Sequence, residues 1–240
     1  MKIKIKRENI SDSIKRKFNL RKVNGKTRKS NLKYPENFNK ECHYLEALYS
    51  TLIQIKPKYC IEIGTHKGDN STKVFQEYFD NYCNEGLLIT LDIVPCSNLN
   101  YKNVKQVLVY PHHQNITTTC GANGKWFAER DLKNDYRRMI NKTVSENINI
   151  VKKEMEKNKI DFFDFAFIDG DHEIESIKND MKICKDLTRF PHYTIIDDTK
   201  EEIHPCCHYY QEVIKNDSDM TCYDFDDWNV FVGASLVMWN

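Results

Sequence analysis

The sequence predicts one α/β domain built around a mostly parallel sheet. Apolar runs of strand length alternate with helix-length segments through most of the 240 residues, which is typical of βαβ units. Hydrophobic residues make up 40% of the chain and charged residues 30%, a composition that suits one core beneath a highly polar surface. A chain of this length forms one α/β domain more often than two small ones.

The first part of the predicted domain starts with a helix and continues with strands. Apolar residues recur at helical spacing over 44–55, and Pro57 follows the end of that helix. A short β-rich run closed by Gly64 comes next. In chain order the predicted elements are helix 44–55, strand 59–63, helix 71–81, strand 87–93 and strand 104–110.

The later part repeats the same rhythm and ends in two strands. Residues 162–168 form the most apolar run of the chain, FFDFAFI, which predicts a central strand buried on both faces. The last two strands are close in sequence and suggest a hairpin. The predicted elements are helix 144–158, strand 162–168, a helix with apolar positions from 174 to 184, strand 193–196, helix 205–215, strand 220–225 and strand 230–239.

The segment of about 111–143 does not fit this alternation. It is polar, contains two glycines near its start and has a charged helical stretch at 129–140. It is too long for an ordinary connection between a strand and a helix. Two interpretations stay open: an insertion that covers a ligand site, or a surface loop that carries one helix.

The near-neutral net charge of +1 hides an uneven distribution. Residues 1–34 hold 13 Lys and Arg against 2 Asp and Glu, whereas the other 206 residues hold 23 against 33. A basic, flexible N-terminal arm is therefore predicted to precede a domain over 35–240. Such an arm can bind nucleic acid, an anionic membrane surface or the acidic face of its own domain, or remain a solvated terminus.

Several classes of protein are disfavoured. The chain has no run of 18 apolar residues, and its N-terminus lacks the apolar stretch of a signal peptide, so we expect no membrane span and a cytoplasmic location. None of the nine cysteines forms a C-x2-C pair. Histidines and cysteines crowd together only at 204–208, but adjacent cysteines do not readily chelate one tetrahedral ion, so no zinc site is predicted there.

Residues with chemical potential gather where the predicted strands end. The first strand runs into EIGTHKGDNST at 62–72, whose two glycines permit a tight turn and a close approach of a ligand before a helix begins. The second strand ends at Asp92, 24 residues beyond Gly68, where a carboxylate can accept hydrogen bonds from both ribose hydroxyls of a nucleoside cofactor.

Further carboxylates follow the fourth and fifth predicted strands. Asp169 ends the fourth strand, and Asp197 and Asp198 end the fifth. Because parallel strands present their carboxyl ends at one edge of the sheet, we expect these carboxylates to lie close together. They would repel one another unless they are protonated or bridged by a cation.

The pattern resembles the class I S-adenosylmethionine-dependent methyltransferases. EIGTHKGDNST is similar to their first motif, LLITLD to their acidic second-strand motif, and FAFIDGDH with TIIDD to the strand-end motifs of the metal-dependent O-methyltransferases. The resemblance covers about residue 39 to the C-terminus. It implies a Rossmann-like, doubly wound sheet of seven strands in the order 3-2-1-4-5-7-6, with the seventh strand antiparallel.

The resemblance also implies roles for single residues. S-adenosylmethionine would be held by the loop after the first strand, and Asp92 would hold the ribose; the loop residues implied are Glu62, Gly64, Thr65, Gly68 and Ser71. Mg2+ would be held by Asp169, Asp197 and Asp198, with Asp169 therefore also counted as catalytic. His172 lies where related enzymes place a catalytic lysine or histidine, which makes it the predicted general base, with a substrate contact or a helix cap as the alternative.

The implied activity is O-methylation of a small hydroxylated acceptor, such as a sugar or a catechol-like compound. One alternative makes nucleic acid the acceptor, through residues 1–34, although DGDH stands where enzymes that methylate base amines carry (D/N/S)PP(Y/F/W). Another alternative is a non-catalytic binding module on the same scaffold. An NAD-dependent dehydrogenase is disfavoured because the 64–68 loop lacks the glycine pattern of that class.

Overall fold

The structure is a computed structural model. It describes residues 42–65, 68, 70–93, 95–97, 99–109, 143–200, 204–225 and 233–239. The predicted arm at 1–34 lies outside these residues, as does the 111–143 segment apart from Thr143. No helix within the described ranges combines the length and the apolar character that crossing a bilayer requires.

The described residues form five α-helices, one 3-10 turn and seven strands. Their bounds agree with the predicted elements to within a few residues. In chain order they are α1 (Cys42–Ile55), β1 (Tyr59–Ile63), α2 (Ser71–Tyr82), β2 (Leu87–Asp92), β3 (Val104–Leu108), α3 (Val144–Lys157), β4 (Phe165–Ile168), α4 (Ile174–Leu187), β5 (Tyr193–Asp197), α5 (Pro205–Glu212), the 3-10 turn Ile214–Asn216, β6 (Met220–Asp224) and β7 (Ala234–Trp239).

The seven strands form one sheet in the order β3-β2-β1-β4-β5-β7-β6. Strands β1 to β5 run parallel to their neighbours, whereas β7 lies antiparallel between β5 and β6. The predicted doubly wound, Rossmann-like sheet with an antiparallel seventh strand is confirmed. Since β1 and β4 are adjacent at its centre, the segments that follow these two strands meet at one edge of the sheet.

Two apolar layers cover the two faces of the sheet. Helices α1 and α2 pack on one face, and α3, α4 and α5 pack on the other. Alternate residues of the central strand divide between the layers: Phe165 and Phe167 join the first, and Ala166 and Ile168 join the second. This alternation in a strand that is apolar throughout is what a sheet covered on both faces requires.

Strand β4 starts three residues later than the sequence predicts. Phe162 is 49% exposed, and Phe163 forms only an isolated bridge to Thr188. The side chain of Asp164 accepts hydrogen bonds from the backbone N–H groups of Lys58 and Tyr59, both at 2.9 Å. The apolar run therefore includes a polar anchor that holds the entry to β1 before the ladder of β4 begins.

Candidate functional site

The predicted site residues gather at the carboxyl ends of β1, β2, β4 and β5. Ile63 is paired with Leu91 of β2 and with Ile168 of β4, and Ile168 is in turn paired with Ile196 of β5. The residues after these positions therefore start from neighbouring points of one sheet edge. In an open α/β sheet, ligands bind beyond this edge.

The turn after β1 depends on two glycines with left-handed backbone conformations. Gly64 has φ +100° and Gly68 has φ +69°. A Cβ atom on Gly64 would lie 1.8 Å from the backbone oxygen of Asp169. Gly64 therefore permits a close approach to the backbone that follows β4, while the close approach of a ligand stays a prediction. It brings the β1 turn directly against Asp169.

Hydrogen bonds hold this arrangement in place. The N–H of Asp169 donates to the carbonyl of Ile63 at 2.9 Å, and the N–H of Gly64 donates to the carbonyl of Leu91, also at 2.9 Å. The N–H of Gly68 donates to the carbonyl of Thr65 at 2.8 Å and closes the predicted tight turn. The loop after β1 is therefore tied to both neighbouring strands.

A buried polar network lies beneath the loop. Glu62 is fully buried, and its Oε2 atom accepts a hydrogen bond of 2.7 Å from the hydroxyl of Thr72. The hydroxyl oxygens of Thr65 and Thr90 are 2.6 Å apart, and Ser71 is also buried. Three of the predicted cofactor-binding residues, Glu62, Thr65 and Ser71, are thus buried supports of the loop.

Burial dominates the electrostatics of Glu62. It raises the pKa of this carboxyl to about 7, although the neighbouring hydroxyls of Ser71, Thr90 and Thr72 act in the opposite direction. The negative charge of Asp92 raises the pKa further. Gly64 and Asp92 are partly exposed, so a ligand can reach these two predicted cofactor positions directly. The contacts to a cofactor remain predictions.

Asp197, the last residue of β5, is influenced by the carboxylates of Asp198 and Asp169. Asp197 is 8% exposed and Asp198 is 7% exposed. Burial, followed by the charges of Asp198 and Asp169, holds the pKa of Asp197 well above its usual range. The Oδ1 atom of Asp197 has no hydrogen-bond partner among the described residues. A cation that neutralises these carboxylates would relieve both costs, so their chemistry suits a hard divalent ion. Their ligand atoms do not all lie within 4.8 Å of one another, however, so holding one ion would require side-chain rearrangement.

A second arrangement shares Asp198. The Nε2 atom of His172 lies 2.5 Å from Oδ2 of Asp198, and the ring of His172 packs against that of His204 with centroids 4.4 Å apart. One ligand atom from each of these three residues lies within 4.8 Å of the other two. Within the described ranges this is the one group of three or more His, Cys, Asp or Glu side chains that meets that distance.

Backbone contacts bring His204 to this point. It directly precedes α5, whose first residue is Pro205. The N–H of Cys206 donates to the carbonyl of His172 at 2.9 Å, and the N–H of Cys207 donates to the carbonyl of His204 at 3.0 Å. The start of α5 is therefore fixed to the loop after β4, which places the two imidazoles together.

The adjacent cysteines take a structural role at this helix start. The thiol of Cys206 faces the carbonyl oxygen of Asp198 at 3.7 Å, and the thiol of Cys207 faces that of Thr199 at 3.3 Å. Burial raises the pKa of Cys206 to about 12, which keeps it a neutral thiol. Because the cysteine spacing at 204–208 argues against a metal, His204 is not among the residues that the sequence predicts for the site.

Comparison with known proteins identifies the fold. The O-methyltransferase TomG of Streptomyces achromogenes, solved in complex with SAM, matches with a TM-score of 0.51 and 14% identity over 82% of this chain and 79% of that one. The chain has the fold of the class I methyltransferases. The resemblance stated from the motifs is thus confirmed at the level of the fold.

Other solved structures with this methyltransferase fold resemble the chain less closely. A putative caffeoyl-CoA O-methyltransferase from Staphylococcus aureus has a TM-score of 0.49 and 13% identity, over 82% of this chain and 83% of that one. The SAH-bound methyltransferase PaMTH1 of Podospora anserina has a TM-score of 0.49 and 13% identity, over 85% and 83%. No protein-family model and no curated protein matches the sequence.

Proposed function

We propose that the chain is an S-adenosylmethionine-dependent methyltransferase that methylates a hydroxyl group of a small acceptor with the help of a divalent cation. The observation that carries the proposal is the position of Asp169, Asp197 and Asp198 at the ends of β4 and β5, with Asp169 directly against the glycine turn that follows β1. In this fold, that edge of the sheet is where a nucleoside cofactor and its acceptor meet.

The proposed reaction depends mainly on the alignment of the acceptor oxygen with the methyl carbon and the leaving sulfur. The acceptor oxygen attacks the methyl carbon while the carbon–sulfur bond breaks, S-adenosylhomocysteine leaves, and the hydroxyl proton passes to a base. Most of the acceleration can come from holding the oxygen in line with the leaving sulfur. We assign the ribose contact to Asp92, which is partly exposed at the end of β2, and the methionine side to the loop with Gly64 and Gly68.

His172 is the base in this proposal. It lies three residues after Asp169, and its Nε2 atom is 2.5 Å from Oδ2 of Asp198. A carboxylate at this distance stabilises the imidazolium that forms when histidine accepts a proton. Mg2+ held by the three carboxylates would orient the acceptor oxygens and stabilise the developing oxyanion.

Cofactor binding is tested first, by isothermal titration with S-adenosylhomocysteine. We expect one site on the wild-type chain and at least a tenfold weaker affinity for Asp92→Ala, because this change removes the ribose acceptor. Asp161→Asn is the matched control, since Asp161 is exposed and precedes the amino end of β4, whereas the site lies at the carboxyl ends of the strands. The absence of binding to the wild-type chain would refute the proposed cofactor.

Methyl transfer and the metal are tested with isotope-labelled S-adenosylmethionine. The acceptor panel contains catechols, free and nucleotide-linked sugars, and a short RNA, which tests the alternative drawn from residues 1–34. We expect label in a small hydroxylated acceptor, loss of activity with EDTA and recovery with Mg2+. If Asp169→Ala is as active as the wild type and its activity is insensitive to EDTA, the proposed role of Asp169 in holding the metal is contradicted. Labelled RNA alone would contradict the small-molecule acceptor.

A further inference from the structure

The geometry points to a binding site for a first-row transition-metal ion, formed by His172, Asp198 and His204. This site differs from the three-carboxylate group assigned to Mg2+, with which it shares only Asp198. It goes beyond the proposed function because binding of the metal requires neither S-adenosylmethionine nor an acceptor.

The chemistry of the three side chains favours such an ion. Two imidazoles and one carboxylate suit zinc and its first-row neighbours, whereas Mg2+ prefers oxygen ligands and near-octahedral geometry. Three protein ligands also leave a position for water or another ligand, as in catalytic zinc sites. The residue types therefore select for a softer ion than the neighbouring carboxylates do.

The distances require only a small adjustment. Ligand atoms about 2.1 Å from a tetrahedral ion lie roughly 3.4 Å from one another. One ligand atom of each residue already lies within 4.8 Å of the other two. The Nε2 atom of His172 and Oδ2 of Asp198, at 2.5 Å, would need to separate by less than about 1 Å, a movement that side-chain rotation can supply.

Three separate parts of the backbone hold the ligands. Asp198 directly follows β5 and has a left-handed φ of +57°, a conformation that Asp and Asn tolerate better than most residues. His172 lies in the loop between β4 and α4, and His204 directly precedes α5. The hydrogen bond from the N–H of Cys206 to the carbonyl of His172, at 2.9 Å, joins the last two segments. The site is thus preorganised by the fold.

The test is titration of the metal-free, full-length protein with Zn2+ and with Co2+. We expect the wild-type chain to bind Zn2+ at one site, and His204→Ala and Asp198→Asn each to lower the affinity of that site for Zn2+ at least tenfold. His208→Ala is the matched control, because His208 lies in α5 only four residues after His204 but is exposed, and the variant should bind Zn2+ like the wild type. Circular dichroism and thermal melting of each metal-free variant show whether it is folded.

The Co2+ spectrum identifies the ligands. We expect visible bands that His204→Ala abolishes, without the intense charge-transfer absorption of a thiolate ligand. Thiolate absorption that disappears in Cys206→Ser would show that the cysteines bind the metal and would overturn the assignment. Zn2+ affinities of folded His204→Ala and Asp198→Asn within threefold of the wild type would also overturn it, as would equal affinity of the wild-type site for Mg2+ and Zn2+.

One consequence rests on the proposed function, although the titration does not. A metal bound to Nε2 of His172 removes that nitrogen from proton transfer, and it also engages Asp198. Zn2+ at saturating concentration should therefore inhibit methyl transfer in the wild type. Failure of the methyl-transfer assay leaves the metal titration unaffected, so the two proposals can fail separately.

Discussion

The buried carboxyl of Glu62 gives a quantitative prediction for stability against pH. Burial at the end of β1 raises its pKa to about 7 from an ordinary value of 4.5. The folded protein therefore holds a proton on Glu62 in the pH range where the unfolded chain has released it. The neutral form contributes stability that is fully present below about pH 4.5 and is lost as the pH rises through 7.

The size of the effect follows from the two pKa values. Each unit of difference corresponds to about 1.4 kcal/mol, so the shift amounts to about 3 kcal/mol over the whole range and about 2 to 3 kcal/mol between pH 5 and pH 8. Glu62→Gln keeps the shape of the side chain but cannot ionise. Its amide oxygen can still accept the hydrogen bond that the Thr72 hydroxyl donates to Glu62.

The assay is urea unfolding of wild type and Glu62→Gln at pH 5 and pH 8. The free energy of unfolding of the variant, minus that of the wild type, should increase by about 2 to 3 kcal/mol from the lower to the higher pH. The other ionisable groups are common to both proteins and cancel in the difference. Equal m-values would show that the unfolded states are comparable.

Glu156→Gln supplies the matched control, because Glu156 is an exposed residue of α3. It removes one negative charge without touching the buried network. Its difference from the wild type should change little between the two pH values. For Glu62→Gln, the free energy of unfolding relative to the wild type should change more between pH 5 and pH 8 than it does for Glu156→Gln. An equal or smaller change would refute the conclusion that burial of the Glu62 carboxyl limits stability above neutral pH.

Three further substitutions probe the supports of the fold by thermal melting. Gly64→Ala should destabilise the folded protein by at least about 3 kcal/mol, because the alanine Cβ would lie 1.8 Å from the backbone oxygen of Asp169 and the backbone there has a φ of +100°. A melting temperature like that of the wild type would contradict this. Thr143→Ala removes the capping box at the start of α3 and should cost about 1 kcal/mol, whereas no change would show that the cap is dispensable. Tyr210→Phe removes a hydrogen bond to Asp224 and should cost about 1 to 2 kcal/mol, and a more stable variant would contradict that role.

Sequence periodicity predicted the centre of the sheet well because the central strands are buried on both faces. Continuous apolar runs identify β1, β2 and β5 almost to the residue, and Gly64 follows the end of β1 directly. The start of β4 was wrong because Asp164, inside the apolar run, bonds to the backbone before β1. A pattern of hydrophobicity alone does not distinguish such an anchor from a residue of the ladder.

The site was predictable to the extent that strand ends determine it. Asp169 directly follows β4 and Asp197 is the last residue of the adjacent β5, so their proximity follows from the topology that the motifs imply. The position of His204 depends instead on a hydrogen bond between two loops, from Cys206 to His172. The one signal in the sequence was the local abundance of His and Cys at 204–208, and its cysteine spacing argued against a metal.

Asp198 belongs to both proposed metal-binding groups. The ligands that the two groups do not share make the groups separable by experiment. A hard ion gains most from the oxygens of Asp169 and Asp197, whereas a softer ion gains most from the imidazoles of His172 and His204. Substitution of Asp198 should therefore weaken the binding of both Mg2+ and Zn2+, while substitution of His204 should weaken the binding of Zn2+ alone. Because the two sets compete for one carboxylate, the ion that is bound determines whether His172 is available as a base.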